Sequence, residues 1–190
     1  MDERFSSEAL VEVVHRYYPA GIHGDEPLYR LTEEYKRWDA ARRAAQENNG
    51  AWECFLQQVR EQFPRVTLWE LPGLLYDPSN RVRIYLPGSS KSKRGALVVI
   101  ASILAPVHVL YASKQRDLGE GKSESQHWFP PLPSEFQEYE AKLDALIHAS
   151  LGSTRLPNDV LFTPVPDVQV GNTSFGEVNL LHCLFTDDIW

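Results

Sequence analysis

Hydrophobic positions fall at helical spacing up to about residue 63, turn to alternation at 66, run together from 95 to 113, and return to helical spacing after 134. In the first stretch, Ser6 or Ser7 can cap a helix through about Tyr18, with Leu10, Val11, Val13 and Val14 on one face and Pro19 with Gly21 ending it. Thr32 caps a second helix, and Glu33 and Glu34 stand in its first turn, where the helix dipole favours carboxylates. Tyr35, Trp38, Ala41 and Ala45 keep its spacing, and Asn48-Asn49-Gly50 stops it. A third helix runs from about Trp52 to Phe63, with Trp52, Phe55, Leu56, Val59 and Phe63 on one face and Pro64 at its end.

Val66 to Leu71 alternates and Pro72-Gly73 turns; Arg81 to Leu86 then alternates basic with apolar residues, the pattern of a strand with one solvated face. The run GALVVIASILAPVHVLYAS, from 95 to 113, carries no formal charge. Its length approaches the about 20 residues of a membrane span. Pro106 and His108 interrupt it, however, and its many β-branched residues favour a pleated strand. It divides into a strand from about Ala96 to Leu104, a break at Ala105-Pro106, and a strand from about Val107 to Ser113. An apolar run without alternation requires cover on both faces, which the amphipathic helices supply. Lys114 to Gln126 has no hydrophobic period and reads as a long loop. Ser134 and Gln137 offer a capping box for a fourth helix, with Phe136, Tyr139, Leu143, Leu146, Ile147 and Leu151 on one face and Gly152 as its stop. Short strands are expected at Val160 to Phe162 and Val178 to Phe185. This order predicts an α+β fold: one domain over residues 1–190, with a mostly antiparallel sheet around residues 66–113 packed by amphipathic helices.

Charge narrows the choice of partner. A net charge of -7 argues against nucleic acid. Residues 81 to 114 carry six basic side chains and no acidic one, whereas residues 151 to 190 carry five acidic and one basic. The first residues lack the apolar stretch of a signal peptide, so the expected location is cytoplasmic. Cys54 and Cys183 stand in no metal-ligand spacing and read as reduced, buried thiols.

No motif assigns a catalytic residue. Gly88 to Gly95 is rich in Gly, Ser and Lys, yet it lacks the order of a phosphate loop and leads into a strand rather than a helix. His182, Asp187 and Asp188 could ligate a metal, but no second ligand pair stands at a suitable spacing, so neither a metal nor a cofactor is expected. His23 to Glu26 reads as a solvated turn and His108 as a core histidine with its bonds satisfied. There is no nucleophile elbow and no HExxH. Trp128 to Pro133 contains a polyproline-like segment that could dock an aromatic groove, against the commoner role of such a segment in routing the chain over the surface into the fourth helix.

The positive signals concern binding. Five Trp, eight Tyr and eight Phe supply rigid contact area of the kind that dominates interfaces. The chain ends Phe185-Thr186-Asp187-Asp188-Ile189-Trp190, aromatic anchors interleaved with carboxylates, which would steer a basic partner. The same tail can equally pack back on its own domain.

The run Ile103 to Tyr111 and the ending Cys183 to Asp188, together with small size, acidity and absence of a catalytic motif, resemble the immunity proteins of bacterial polymorphic toxin systems. That resemblance implies a cytoplasmic α+β protein without catalytic residues that binds a cognate toxin domain, such as a basic nuclease, and neutralises it. The interface is then expected to include Asp167, Glu177, Asp187, Asp188 and Trp190. Two other readings stay open: a hydrolase or transferase of another family, with its site among His23, Asp25, His108 and His182, and a scaffold subunit of a larger assembly.

Overall fold

The computed structural model of the protein describes residues 3–71, 74, 76–87, 93–119 and 122–189, with the backbone alone at positions 93, 94, 117, 119 and 123. Among these residues β1 (Thr67–Leu71), β2 (Ser79–Tyr85), β3 (Lys93–Ser102), β4 (Val107–Gly119) and β5 (Lys122–Trp128) follow one another as an antiparallel meander. The two-residue β6 (Thr154–Arg155) joins β4 in parallel at Val107 and His108. Helices α1 (Ser7–His15), α2 (Glu33–Glu47) and α3 (Gly50–Gln62) precede the sheet; α4 (Ser134–Leu151), α5 (Asn158–Leu161) and α6 (Leu180–Leu184) follow it. This is the expected α+β fold with a mostly antiparallel sheet.

The uncharged run at 95–113 resolves into two interleaved sets. Leu97, Val99, Leu110 and Ala112 point with Val82 and Ile84 of β2 into a core roofed by Phe55, Leu56 and Val59 of α3 and Phe136, Leu143 and Ile147 of α4. Val98, Ile100, Val107, Val109 and Tyr111 point the other way, into a core with Leu10 and Val14 of α1 and the buried residues of α5 and α6. Each Leu, Val or Phe removed from water there contributes about 1.5–3 kcal/mol, so both faces of the sheet are strongly held.

Local signals behave as expected at several ends. The Ser6 side chain accepts from Ala9 N at 3.2 Å and Thr32 from Tyr35 N at 3.2 Å, and Gly152, at φ 61°, closes α4. Other expectations are overturned. Lys114 to Gln126 is no loop: the sheet continues as a β4–β5 hairpin paired from Ala112↔Trp128 to Gly119↔Lys122. Beyond the cores the residues described there turn mostly polar side chains to water, so no hydrophobic period marks them. The segments expected as strands at 160–162 and 178–185 are the short helices α5 and α6; Asn179 caps α6, accepting from His182 N while the His182 ring accepts from Asn179 N. Arg81 and Arg83 do not line a solvated face, because each is 6 % exposed. The capping box at Ser134 does not form; Gln137 Nε2 donates to Leu132 O at 3.0 Å, and no side chain caps α4. Cys183 is buried but Cys54 is exposed. The turn at Pro72-Gly73, most of the Gly88 to Gly95 loop (88–92) and Trp190 lie outside the described residues. Among the described residues, no helix is long and apolar enough to cross a membrane.

Candidate functional site

Five separate parts of the chain meet in a cleft of about 150 Å³. Tyr18 follows α1, and Tyr29 sits on a single 3-10 turn (Tyr29–Leu31). Tyr35 and Trp38 stand on one face of α2, Tyr76, Asp77 and Pro78 join β1 to β2, and Val170, Gly171 and Asp187 come from the C-terminal part of the chain. Spacing places the α2 pair together, since residues three apart lie on the same helix face.

The aromatic rings form a continuous wall. Tyr29 meets Tyr35 edge-on at 5.5 Å between centroids, and Tyr35 stacks on Trp38 at 5.9 Å. The Trp38 indole donates to the Tyr18 hydroxyl at 3.2 Å, and that hydroxyl donates to the Cys183 carbonyl at 2.9 Å. Burial raises the Tyr18 hydroxyl well above its ordinary value and takes that of Tyr29 up to about 12, so both stay neutral. Tyr76, 84 % exposed, opens the cleft to solvent.

Carboxylates supply the polarity. Asp77 is buried, and burial, partly offset by the Arg81 guanidinium and reinforced by Asp187 and Asp188, pushes it up to about 6. Arg81 is bonded to Asp77 and also donates to the Asp188 carbonyl at 3.2 Å, which anchors the C-terminal segment on β2. Asp187 Oδ2 accepts from Asn172 N at 2.8 Å and sits where a Cβ on Gly171 would lie. The charge balance of Asp77, Asp187 and Asp188 against Arg81 is negative.

Of the residues expected at an interface, Asp187 lines this cleft and Asp188 adjoins it through Arg81 and Asp77, its own side chain exposed. Asp167 and Glu177 do not line it: Asp167 faces His15 Nε2 at 3.1 Å, and Glu177 is exposed on the loop before α6. Trp190 lies outside the described residues. Tyr18, Tyr29, Tyr35, Trp38, Tyr76 and Asp77 went unassigned in the sequence. The usable signal was Tyr76-Asp77, an aromatic and a carboxylate side by side in a turn, together with the Tyr29, Tyr35 and Trp38 spacing.

The histidines form no common site. His23 packs on Phe175 at 4.5 Å, Glu26 closes its loop by accepting from His23 N, and Asp25 is exposed there. His182 caps α6. His108, 1 % exposed, bonds Ser153 Oγ through Nδ1 at 3.0 Å and Asp144 Oδ1 through Nε2 at 2.8 Å. These are the residue types of a hydrolytic triad, yet Ser153 is only 3 % exposed. A nucleophile needs a substrate within reach, so the network is a structural tie from β4 to α4 and the turn beyond it, as expected for a core histidine. Among the described residues no three metal-ligating side chains converge. A wider trough of about 560 Å³ lies between the end of α3 and α4, but its Glu138 and Lys142 pair with each other at 2.8 Å. No protein-family model, curated protein or solved structure matches this chain.

Proposed function

We propose that the protein is an immunity-type inhibitor: it binds a cognate toxin domain with a basic surface, in the cytoplasm, and neutralises it by occupying that surface. The observation carrying this reading is the cleft, a concave aromatic wall with Asp77 and Asp187 in it and the exposed Tyr76 in its lining. Aromatic anchors in a concave site, ringed by groups that exclude water, are the arrangement that concentrates binding energy at interfaces. The exposed carboxylate of Asp188 and the acidity of the C-terminal part add long-range attraction for a basic partner. The sequence resemblance points the same way.

The test is capture of a partner from the source organism's lysate, followed by an activity assay on what is captured. One stoichiometric partner carrying a toxic enzymatic domain, inhibited on adding this chain, is the expected result. Asp188→Lys, which changes an exposed side chain and leaves the backbone bond to Arg81 in place, should weaken association about tenfold and flatten its salt dependence. A partner with no toxic activity, or inhibition indifferent to the reversal and to salt, overturns the reading.

A further inference from the structure

We infer that the cleft is a receptor for one cationic side chain, an alkylammonium or guanidinium group presented by the partner, held against the rings of Tyr29, Tyr35, Trp38 and Tyr76 and neutralised by Asp187 and Asp77. The inference rests on the binding reading of the same site and names what enters it.

Four observations carry it. The first is size: about 150 Å³ is room for roughly five waters, or for one extended amine side chain in place of them. The second is the lining. The Tyr18 hydroxyl and the indole N–H are already committed within the chain, so the wall offers ring surface together with the hydroxyls of Tyr29, Tyr35 and Tyr76. Ring faces carry negative potential and attract cations, most strongly at Trp and Tyr. The third is charge: two lining carboxylates and Asp188 nearby face a single guanidinium, Arg81, which Asp77 and the Asp188 carbonyl already engage. An anion would meet repulsion there, and a neutral apolar group would desolvate the carboxylates further without adding a counter-charge. The fourth is a precedent on Trp38 itself: the Arg42 guanidinium, which does not line the cleft, lies 5.4 Å from the indole centroid, its charge met by Asp39 at 2.9 Å. Tyr76, in the lining and 84 % exposed, leaves its ring accessible to an entering group.

The experiment uses the folded full-length chain and two small probes, butylammonium and butylguanidinium chloride, titrated against sodium chloride at equal ionic strength. Aromatic NMR resonances and calorimetry report binding. Saturable binding in the millimolar range is expected, with the shifts confined to Tyr29, Tyr35, Trp38 and Tyr76. Tyr76→Ala should weaken it about fivefold, the effect of losing one cation–ring contact of about 1 kcal/mol, and Tyr76→Phe should restore it. Because Tyr76 is 84 % exposed, neither variant threatens the fold. Asp187→Asn, which keeps an acceptor for Asn172, should weaken binding further. A preference for guanidinium assigns arginine as the natural occupant and a preference for ammonium assigns lysine; either supports the inference. No saturation beyond the sodium control, or shifts that Tyr76→Ala leaves unchanged, overturns it. Probe binding without any toxin partner keeps the cleft and discards the immunity reading. A toxin partner indifferent to Tyr76→Ala, with no probe binding, does the reverse.

Discussion

Gly171 and Asp187 show at the scale of single residues how the cleft is held. Gly171 has φ 53°, a conformation that side chains other than glycine resist, and a Cβ there would stand 1.9 Å from Asp187 Oδ2. Gly171→Ala therefore meets two penalties, left-handed strain of about 1–2 kcal/mol and displacement of the carboxylate from the Asn172 amide. The control is Gly21→Ala, at φ 70° with nothing within 4 Å, which incurs the first penalty alone. Thermal unfolding should show the larger loss for Gly171→Ala, and only that variant should lose affinity for the cationic probes. Equal losses would mean that Asp187 relaxes without consequence. Little of this was legible beforehand. Asp187 stood out as an acidic residue near the chain end, but its partner lies 15 residues away, on the far side of α6 in sequence. Asp77 went unassigned because the groups that face it include Thr186, Asp187 and Asp188, which local composition does not place beside it.

Elements with a long hydrophobic signal, periodic as in α3 or unbroken as in β3 and β4, declared themselves; short apolar runs and solvated strands did not. The α3 pattern of Trp52, Phe55, Leu56, Val59 and Phe63 is buried throughout, as its period requires. In contrast, α6 is a short apolar run within Val178 to Phe185, and a run of that length reads equally as strand or helix; the Asn179 cap decides it. The β4–β5 hairpin is solvated over most of its described length and leaves no periodic trace. Helix α2 is an intermediate case with a functional consequence. None of its residues is buried, and it leans on the sheet's second core through half-buried Trp38 and Ala41. Few buried contacts mean a low free energy of local opening. In hydrogen exchange, the amides of α2 should exchange faster than those of α3 and β3, and butylguanidinium should slow α2 selectively, because the cleft wall is built on it. Protection of α2 equal to that of β3 in the free protein would contradict this. Trp38→Ala should leave α3 and the sheet protected while α2 loses what protection it has.

For the whole molecule, the charge distribution read from the sequence changes meaning once the chain is folded. Arg81 and Arg83 are two of the six basic residues between positions 81 and 114, and both are buried. Arg81 is spent on Asp77 and the C-terminal segment, and Arg83 lies over the Trp69 ring at 5.9 Å. The surface is accordingly more acidic than the tally of side chains suggests. The fold could be foreseen because its sheet and main helices are each contiguous in sequence. The cleft could not, because its lining comes from residues near 18, 29–38, 76–78, 170 and 187, which only tertiary packing brings together.

Asp77 then links stability and binding with opposite slopes in pH. It is faced by Arg81 from β2, by Asp187, Asp188 and the Thr186 hydroxyl from the C-terminal segment, and by Tyr18 across the cleft. Its native pKa of about 6 lies above the ordinary 3.8, so between those values the native state binds more protons than the unfolded one. Stability must fall as pH rises across that interval, by up to about 3 kcal/mol for a two-unit shift. Asp144 acts in the other direction: its hydrogen bond to His108 holds its carboxyl below the usual value, so its contribution is lost only as pH falls below the ordinary carboxylate range. The melting temperature should therefore peak near pH 4–5 and decline by several degrees toward pH 7, and Asp77→Asn should remove most of that decline. Affinity for a cation should run the opposite way, rising from pH 5 to pH 7 as Asp77 ionises, with a proton released on binding below pH 6. A carboxylate that destabilises the fold at neutral pH while strengthening cation binding there has a role that packing alone does not explain. If Asp77→Asn flattened the stability profile but left probe affinity equally dependent on pH, Asp77 would belong to the scaffold, and the negative charge of the cleft would rest on Asp187.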